Sequence, residues 1–397
     1  MDSGMFFSRP IVAEILESLR REPPLLQVMV GPRQVGKTTA AQQIVEELKW
    51  PAHSVTADSP TPHPPERIEV QWQMAERLPG SGPVLLVLDE VQKVPGWAEV
   101  TKKLWDNEHK TGGRIRPLLL GSSALLAQKG LTESLAGRFF LHRMMHWSWP
   151  EMQHAFEWNL DRWLYFGGYP GAAPFATNVD QWKRYVTDSL IETVIARDVL
   201  QLQTVNKPAL LRHLFGLATG YPAQILSYNK MLGQLHDAGN TTTLAHYLNL
   251  LETAFLVAGP PLFTAGEVRR RASSPKLILW NNALINAVAL HSFDQIRRDP
   301  STWGRLVENA VGAHLLNHLH GPPWRVSYWR DGNLEVDFVV SHGNNTWALE
   351  VKSGKTARRS GLAAFRKRYP EAKVWLVGAD GIPLEEFFSK PPQDWLT

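Results

Sequence analysis

The chain of 397 residues contains no cysteine, which excludes disulfides, thiolate catalysis and zinc sites built on cysteine. It has no apolar run approaching the ~20 residues that cross a bilayer. Its first residues carry neither the basic flank nor the apolar stretch of a signal peptide, so we expect a cytoplasmic protein with no membrane partner. Internal repeats, low-complexity tails and sustained heptads are also lacking, which argues against repeat proteins and long coiled coils.

What is present is the composition of a folded protein with more than one domain. Hydrophobic residues make up 44% and charged residues 20% of the chain, as in soluble globular proteins. The length suggests two or three domains of ~150 residues each. The net charge of +4 is uneven, because residues 267–397 hold 18 basic against 13 acidic side chains and the remainder holds 24 against 25. Single basic clusters are usually ordinary surface, but an excess gathered in one region favours a polyanionic partner.

A glycine-bounded loop stands between an apolar run of strand length and a stretch with helical spacing. Backbone N–H groups and a helix N-terminus then point at one place, which suits a polyphosphate. The pattern predicts an ATP site in which Lys37 reaches the β- and γ-phosphates and the Thr38 hydroxyl ligates Mg²⁺. A merely tight turn is the alternative, and the flanking strand and helix argue against it. The predicted nucleotide-binding residues of the loop are Gly31, Pro32, Arg33, Gln34, Val35, Gly36, Lys37, Thr38 and Thr39.

A second apolar strand ends in Asp89 and Glu90, at the strand end where open α/β sheets bind ligands. We expect Asp89 to hold Mg²⁺ and Glu90 to orient and deprotonate the attacking water. A third strand ends in small polar residues, and the hydroxyl of Ser122 there would lie near the γ-phosphate. Arg138 is a candidate arginine finger, acting in cis or in trans, and an ion-paired surface arginine fits the sequence equally well.

Acidic residues recur in the C-terminal part, on segments with strand alternation. Glu335 and Asp337 fall on one face of their segment, as Glu350 and Lys352 do on theirs, and Glu308 in an upstream helix could reach the same spot. Three of these carboxylates, Glu308, Asp337 and Glu350, predict a hard-cation site. Mg²⁺ there would activate water against a phosphodiester, with Asp337, Glu350 and Lys352 as catalytic residues. A solvated acidic hairpin is the alternative.

The middle of the chain has helical periodicity and no convincing strand. Residues 229–236 and 241–251 resemble two helices around a glycine turn, with N-cap hydroxyls from the threonines that open the second. A winged helix with His246 and Asn249 facing outward is one interpretation. Because this helix carries no Lys or Arg, we favour a structural role that joins domains. The sixteen tryptophans are interpreted as packing, and the histidine spacing supports no zinc site.

Together these motifs resemble those of the AAA+ ATPases. More narrowly, they are similar to a prokaryotic group that joins such an ATPase to a C-terminal domain of unassigned function with a restriction-endonuclease-like, PD-(D/E)xK core. The likeness covers nearly the whole chain, with one departure at 279–284, where relatives more often have an aspartate and a glycine. The segments that carry it are 31–39, 88–92, 120–123, 133–138, 166–170, 195–198 and 247–252.

The resemblance implies an α/β fold class in three parts. These are an AAA+ ATPase with a parallel sheet at 1–150, a helical and winged-helix region at 151–265, and an α/β restriction-endonuclease-like domain at 266–397. It implies an ATPase that uses ATP and Mg²⁺ and acts on DNA, with branches and ends as candidate structures, and that can form a homo-oligomer. The other interpretation is a nucleotide-operated switch whose C-terminal domain binds a protein or is catalytically inert.

Overall fold

The computed structural model describes residues 7–59, 61, 63–122, 131, 133–200, 205–236, 239–264, 273–354 and 360–396. The chain divides into two compact units, Met1–Met145 and His146–Thr397. The predicted boundary near residue 150 lies close to this division, whereas the one near 265 has no counterpart in it. Three separate domains therefore stay a prediction.

The first unit is built on a five-stranded parallel sheet with the spatial order β2-β3-β4-β1-β5. Strands β1, β3 and β4 confirm the three strands predicted from apolar runs. The fifth was missed, because it is half-exposed and ends in His and Arg after only three apolar residues. The strands are β1 Leu26–Val30, β2 Ala52–Thr56, β3 Val84–Asp89, β4 Ile115–Gly121 and β5 Phe139–Arg143.

Four helices flank this sheet: α1 Pro10–Leu19, α2 Lys37–Leu48, α3 Glu66–Glu76 and α4 Trp97–Thr111. Helix α1 packs on α2, and α3 packs on α4. Trp72, Trp97 and Trp105 join the strand side chains in one buried apolar cluster. With all five residues of β1 buried, the loop that follows it starts from a rigid position.

The second unit opens with short helices and a small antiparallel sheet of order β6-β8-β7. The strands are β6 Gln224–Ile225, β7 Val257–Ala258 and β8 Lys276–Leu279. Strands β6 and β7 have only two residues each, which is too short for an alternating pattern to be recognised in the sequence. The helices are α5 Trp149–Phe156, α6 Leu160–Phe166, α7 Val179–Arg184, α8 Pro208–Gly220, α9 Tyr228–Gln234, α10 Thr241–Thr253, α11 Ala283–Asn286 and α12 Phe293–Arg298.

Helices α9 and α10 occupy the two segments predicted to be helical. The N-cap of α10 is Asn240, whose side-chain oxygen accepts the N–H of Thr243 at 2.8 Å, so the predicted threonine cap was wrong. An amide oxygen one residue earlier reaches the same unpaired N–H groups. His246 and Asn249 are exposed, as predicted. A winged helix stays a prediction.

The remainder of the second unit is a helix α13, Pro300–His318, and a four-stranded mixed sheet of order β12-β11-β10-β9. The strands β9 Trp324–Asp331, β10 Leu334–His342 and β11 Asn345–Lys352 are antiparallel, and β12 Lys373–Gly378 lies parallel to β11. Helix α14, Ser360–Arg368, connects β11 to β12, and α15 is Leu384–Phe388. Strands β10 and β11 confirm the two alternating segments that carry the acidic residues.

Strand β10 contains one irregularity in its pairing with β9. The register shifts by one residue between Val336 and Val339, as in a β-bulge. Val336 and Val339 join the apolar cluster that includes Phe365 of α14, whereas the ring of Phe338 lies against α13. None of the helices in the described part of the chain is long and apolar enough to span a membrane.

Candidate nucleotide site and C-terminal ion cluster

The loop between β1 and α2 has the backbone shape that its glycines permit. Gly36 takes φ +94°, a left-handed conformation in which glycine is unstrained, immediately before α2 begins. A side chain at Gly31 would overlap the carbonyl oxygen of Met144, so the close approach of these backbones requires glycine there. The predicted loop thus follows a buried strand and opens a helix, as a phosphate site requires.

Lys37 is nearly buried and its ammonium turns back into this loop. Its Nζ donates to the carbonyl oxygens of Gly31 at 3.0 Å and Pro32 at 2.6 Å. The positive charge is therefore held inside the curve of the loop, beside the backbone that would enclose phosphate oxygens.

Thr38 and Asp89 are brought together across the end of the sheet. The Thr38 hydroxyl donates to Oδ2 of Asp89 at 2.9 Å, and the N–H of Glu90 donates to Oδ1 at 2.9 Å. Within the described residues, these neutral groups are the partners of the Asp89 carboxylate. A hydroxyl and a carboxylate without a cationic partner are oxygen ligands of the kind Mg²⁺ prefers, so these residues fit the ion. A cleft of about 680 Å³ lies beside both side chains.

Glu90 is fixed by two residues to which the sequence had given no role. It takes φ +56°, which is uncommon for a residue with a side chain and often marks a functional position. The Gln92 amide donates to Oε2 of Glu90 at 2.9 Å and to the Ser122 hydroxyl at 3.3 Å. Lys93 lies 3.6 Å from the same Glu90 oxygen. Gln92 therefore connects the two predicted residues Glu90 and Ser122, and Ser123 lies outside the described residues.

Arg138 lies at the other end of the sheet. Its carbonyl accepts the N–H of Leu26, the first residue of β1, while the phosphate-binding loop follows the last. Its guanidinium donates to both carboxylate oxygens of Asp106 in α4, at 2.6 and 3.0 Å. These hydrogen bonds lower the pKa of Asp106 below its ordinary value. The geometry does not bring Arg138 to the loop of its own chain.

The C-terminal candidates do come together, around a lysine that the sequence analysis missed. Lys276 of β8 is fully buried, and its Nζ lies 2.7 Å from Oε1 of Glu308, 3.3 Å from Oε1 of Glu335 and 3.7 Å from Oδ1 of Asp337. The three carboxylate groups lie within 4.8 Å of one another. We name these four residues, together with Glu350, Lys352 and Arg305, the ion cluster.

The bulge in β10 directs Asp337 into this cluster. The Asp337 side chain reaches Lys276, and the next residue, Phe338, also faces α13, with its ring centre 5.0 Å from the lysine Nζ. Two consecutive residues on one side of a strand are what a bulge produces. The other Asp337 oxygen accepts the N–H of Val351 at 2.7 Å, which ties the acid to β11.

The remaining charges of the ion cluster lie at its edge. Lys352 pairs with Oε1 of Glu350 at 2.6 Å, as their shared strand face predicted. Arg305 pairs with Oε2 of Glu308 at 2.9 Å, one turn away on α13. The other Glu350 oxygen is buried and accepts no hydrogen bond within the described residues.

Burial and like charges disturb the protonation of two of these acids. Burial, followed by the charge of Asp337, raises the pKa of Glu350 to about 7. Burial also raises the pKa of Glu308 to about 7, against the opposing effect of Lys276. For Lys276 burial acts downward, but the three surrounding carboxylates outweigh it and raise its pKa. Lys276 is therefore an ammonium ion at neutral pH.

The predicted metal ligands of the C-terminal part converge on the Lys276 ammonium, and the metal site there stays a prediction. The Lys276 ammonium lies among Glu308, Glu335 and Asp337 and offsets one of their three negative charges. A single lysine inside an apolar Lys-Leu-Ile-Leu strand was the available sequence signal, because a buried lysine needs acidic partners.

Three regions of the chain match family models. Residues 24–153 match one described as an AAA domain. Residues 157–295 match a domain of unknown function (DUF8612), and residues 303–386 match another (DUF4143). With the loop and sheet described above, residues 24–153 form a P-loop AAA+ ATPase domain. The restriction-endonuclease-like assignment of the C-terminal part is not addressed by these matches.

Two solved structures are similar to the chain at low identity. The ORC1 protein of Aeropyrum pernix in complex with DNA is 14% identical, with 72% of this chain and 92% of that chain covered and a TM-score of 0.30. The Holliday junction branch migration motor RuvB of Thermotoga maritima is 16% identical, with 64% and 91% covered and a TM-score of 0.33. At these TM-scores neither similarity carries an argument. No curated protein matches the sequence significantly.

Proposed function

We propose that the chain hydrolyses ATP with Mg²⁺ and that DNA bound by the second unit alters the rate. The observation that carries the first half is the contact between Thr38 and Asp89 at the end of the loop. The hydroxyl follows the phosphate-binding lysine, and the carboxylate ends the neighbouring apolar strand, which is the arrangement of Mg²⁺ ligands in P-loop NTPases.

Each residue then has one task. The loop N–H groups and Lys37 bind the phosphates, and Thr38 and Asp89 hold Mg²⁺, which neutralises charge on the phosphate oxygens when bound. Glu90 orients the attacking water and accepts its proton. Gln92 holds the Glu90 carboxylate at 2.9 Å and can report the state of β4 through Ser122.

The support for DNA lies in the second unit. The order α13, β9, β10, β11, α14, β12 follows the restriction-endonuclease-like core that the motif resemblance implies. A groove between α14 and β12 is lined by Arg366, Lys367 and Trp375, together with Asp380 and four apolar side chains. Cations that contact phosphates and an aromatic ring that can stack on a base are the components of a single-strand binding surface.

The test measures ATP turnover with no DNA and with single-stranded, duplex and four-way DNA. We expect DNA to change the turnover, and Arg366→Ala/Lys367→Ala to reduce DNA affinity and the salt dependence of binding. Arg20→Ala/Arg21→Ala removes the same charge from an exposed site in the first unit and serves as the control. If no DNA binds or alters turnover, the DNA half of the proposal is wrong.

Arg138 is proposed to act in trans, within a homo-oligomer. Because Arg138 lies at the amino end of β5, away from the loop of its own chain, it would contact the nucleotide of a neighbouring copy. ATPase activity per chain should then rise with protein concentration, and Arg138→Ala should bind ATP without turning it over. A strictly monomeric protein with full activity would leave the Asp106 ion pair as the role of Arg138.

A second candidate function is a nucleotide-operated switch with a C-terminal unit that cleaves nothing. The observation that favours it is the buried ammonium of Lys276 among the predicted metal ligands. The same ATPase assays separate the two, because a switch for a protein partner should show turnover that is indifferent to every DNA.

A further inference from the structure

We propose that Lys276 takes the place of the metal ion in the ion cluster, so that the second unit binds no divalent cation there and does not cleave DNA. This inference rests on the proposed restriction-endonuclease-like core, whose strand carboxylates would otherwise be expected to hold Mg²⁺. It concerns the chemistry of that core and is independent of whether DNA alters ATP turnover.

The Lys276 ammonium lies among carboxylates that come from two different elements. Glu308 comes from α13 and Glu335 and Asp337 come from β10, and their oxygens lie 2.7, 3.3 and 3.7 Å from the same Nζ. Such distances are those of ammonium–carboxylate pairs, and they put the lysine nitrogen at the point where the acids converge. A divalent ion at that point would have to displace it.

Displacement is opposed by the backbone of Lys276. Lys276 of β8 pairs with Ile225 of β6 in the small sheet, and the Lys276 N–H donates to the carbonyl oxygen of Pro260 at 3.1 Å. Strand β8 is the central strand of that sheet, held by β6 and β7 on its two sides. A fully buried lysine on a fixed strand has no route to water, so its charge stays where the side chain ends.

The wall of the cluster also suits an ammonium better than Mg²⁺. The face of Phe338 lies 5.0 Å from Nζ, which is the range of a cation–π interaction. The same ring packs against Gly312 of α13. Mg²⁺ prefers oxygen ligands and keeps several of its water molecules in most protein sites, whereas the ring offers no oxygen on its side of the cluster.

The balance of charge completes the argument. When all four are ionised, the carboxylates of Glu308, Glu335, Asp337 and Glu350 face three cations within the described residues, and the cations are Lys276, Lys352 and Arg305. Because the pKa values of Glu308 and Glu350 are raised to about 7, this count is the largest negative charge that the cluster carries at neutral pH. The excess of one negative charge does not call for a divalent ion while Lys276 is present. Removing the lysine charge creates an excess of two, which a single divalent ion would cancel.

The test counts Mn²⁺ ions bound to the full chain without nucleotide and without DNA, by electron paramagnetic resonance and by calorimetry. The proteins are the wild type, Asp337→Asn, Lys276→Met and Lys276→Met/Asp337→Asn. Any ion held by Thr38 and Asp89 contributes equally to all four. We expect the wild type and Asp337→Asn to bind equal numbers, Lys276→Met to bind one ion more, and the double variant to lose it.

Two results would overturn the proposal: an ion in the wild type that Asp337→Asn loses, or no additional ion in a folded Lys276→Met. To detect metal-dependent folding of Lys276→Met, its melting temperature is measured with and without Mn²⁺, and a rise absent from the wild type supports the proposal. If that variant does not fold at all, the comparison of wild type with Asp337→Asn decides. A DNA-independent ATPase would refute the proposed function and leave these counts unchanged.

Discussion

The two units both contain acidic residues close to a lysine, but they balance the charge in opposite ways. In the first unit the Asp89 carboxylate contacts a hydroxyl and a backbone N–H, and Lys37 is bound by carbonyl oxygens of its own loop. In the second unit the acids of the ion cluster contact Lys276 directly. The acid of the first site has neutral partners, and the acids of the second site are paired with a lysine of the chain.

The difference shows what to examine when carboxylates converge. Oxygen atoms near one another do not define a metal site unless their existing partners are neutral, because a buried ammonium satisfies the same electrostatic demand. The neutral partners of Asp89 therefore favour Mg²⁺ in the first unit, and the ammonium opposes it in the second. Each of the following changes tests one side of that contrast.

The largest effect is expected from Glu90→Gln. It removes the proposed base and spares Thr38 and Asp89, so ATP binding should persist while turnover falls by about 10²–10⁴-fold. Lys37→Ala, in contrast, should abolish nucleotide binding or hydrolysis, because it removes the lysine that the loop directs at the β- and γ-phosphates. Binding of a labelled nucleotide and steady-state phosphate release measure the two. Equal loss of affinity in both variants would show that the roles of Asp89 and Glu90 are misassigned.

The next effect concerns the stability of the second unit. Lys276→Ala leaves three carboxylates without their central cation, and breaking a buried pair in this way costs about 3–5 kcal/mol of unfolding free energy. Lys352→Ala is the matched control, since its side chain is 28% exposed and water can replace part of its interaction. Urea unfolding of both variants measures the difference. A loss no larger than that of the control would remove Lys276 from the centre of the comparison.

We expect the protonation of Glu350 to affect how the unfolding free energy depends on pH. Burial and the Asp337 charge raise the pKa of Glu350 to about 7 in the folded protein, from 4.5. Between these values the folded state holds a proton that the unfolded state releases, so this contribution to stability is lost as pH rises towards 7 and beyond. As pH rises from 5 to 8, the unfolding free energy of Glu350→Gln should therefore increase relative to that of the wild type by on the order of 1–3 kcal/mol. Parallel stability curves for the two proteins would contradict this.

The smallest effect is expected from Arg305→Ala. Arg305 pairs with Glu308 from a position that is 44% exposed, and such pairs contribute about 0–1 kcal/mol. The same urea experiment measures it. A cost equal to that of Lys276→Ala would mean that the cluster depends on total charge and not on the buried ammonium.

The elements that the sequence predicted well are those whose signal is local. Strands β1, β3, β4, β10 and β11 are apolar or alternating runs, and the loop at Gly31 and the acid at Asp89 are defined by their immediate neighbours. The pairing of Glu350 with Lys352 also followed from strand alternation, and the contact confirms it. Patterns within ten residues were sufficient for these.

The parts that were missed depend on residues distant in sequence. Lys276 is surrounded by acids from α13 and β10, and its own strand of four residues is recognisable only through its partners β6 and β7. The identity of Asp106 as the partner of Arg138 and the link from Gln92 to Ser122 arise in the same way, whereas an ion-paired Arg138 was one of the two interpretations that the sequence allowed. The prediction of a threonine N-cap was wrong for a more local reason, because Asn240 and the threonines after it can both supply a capping oxygen.

Because of the bulge at Asp337, the two sides of β10 tolerate substitutions to different degrees. Val336 and Val339 pack under α14, where any apolar side chain of similar volume would serve. Asp337 and Phe338, on the other side, form the ionic and aromatic boundary of Lys276. Loss of one residue at the irregularity would leave the valine packing nearly intact while it rotates the acid away from the lysine. A single deletion would thus withdraw one acid from the ion cluster without rebuilding the sheet.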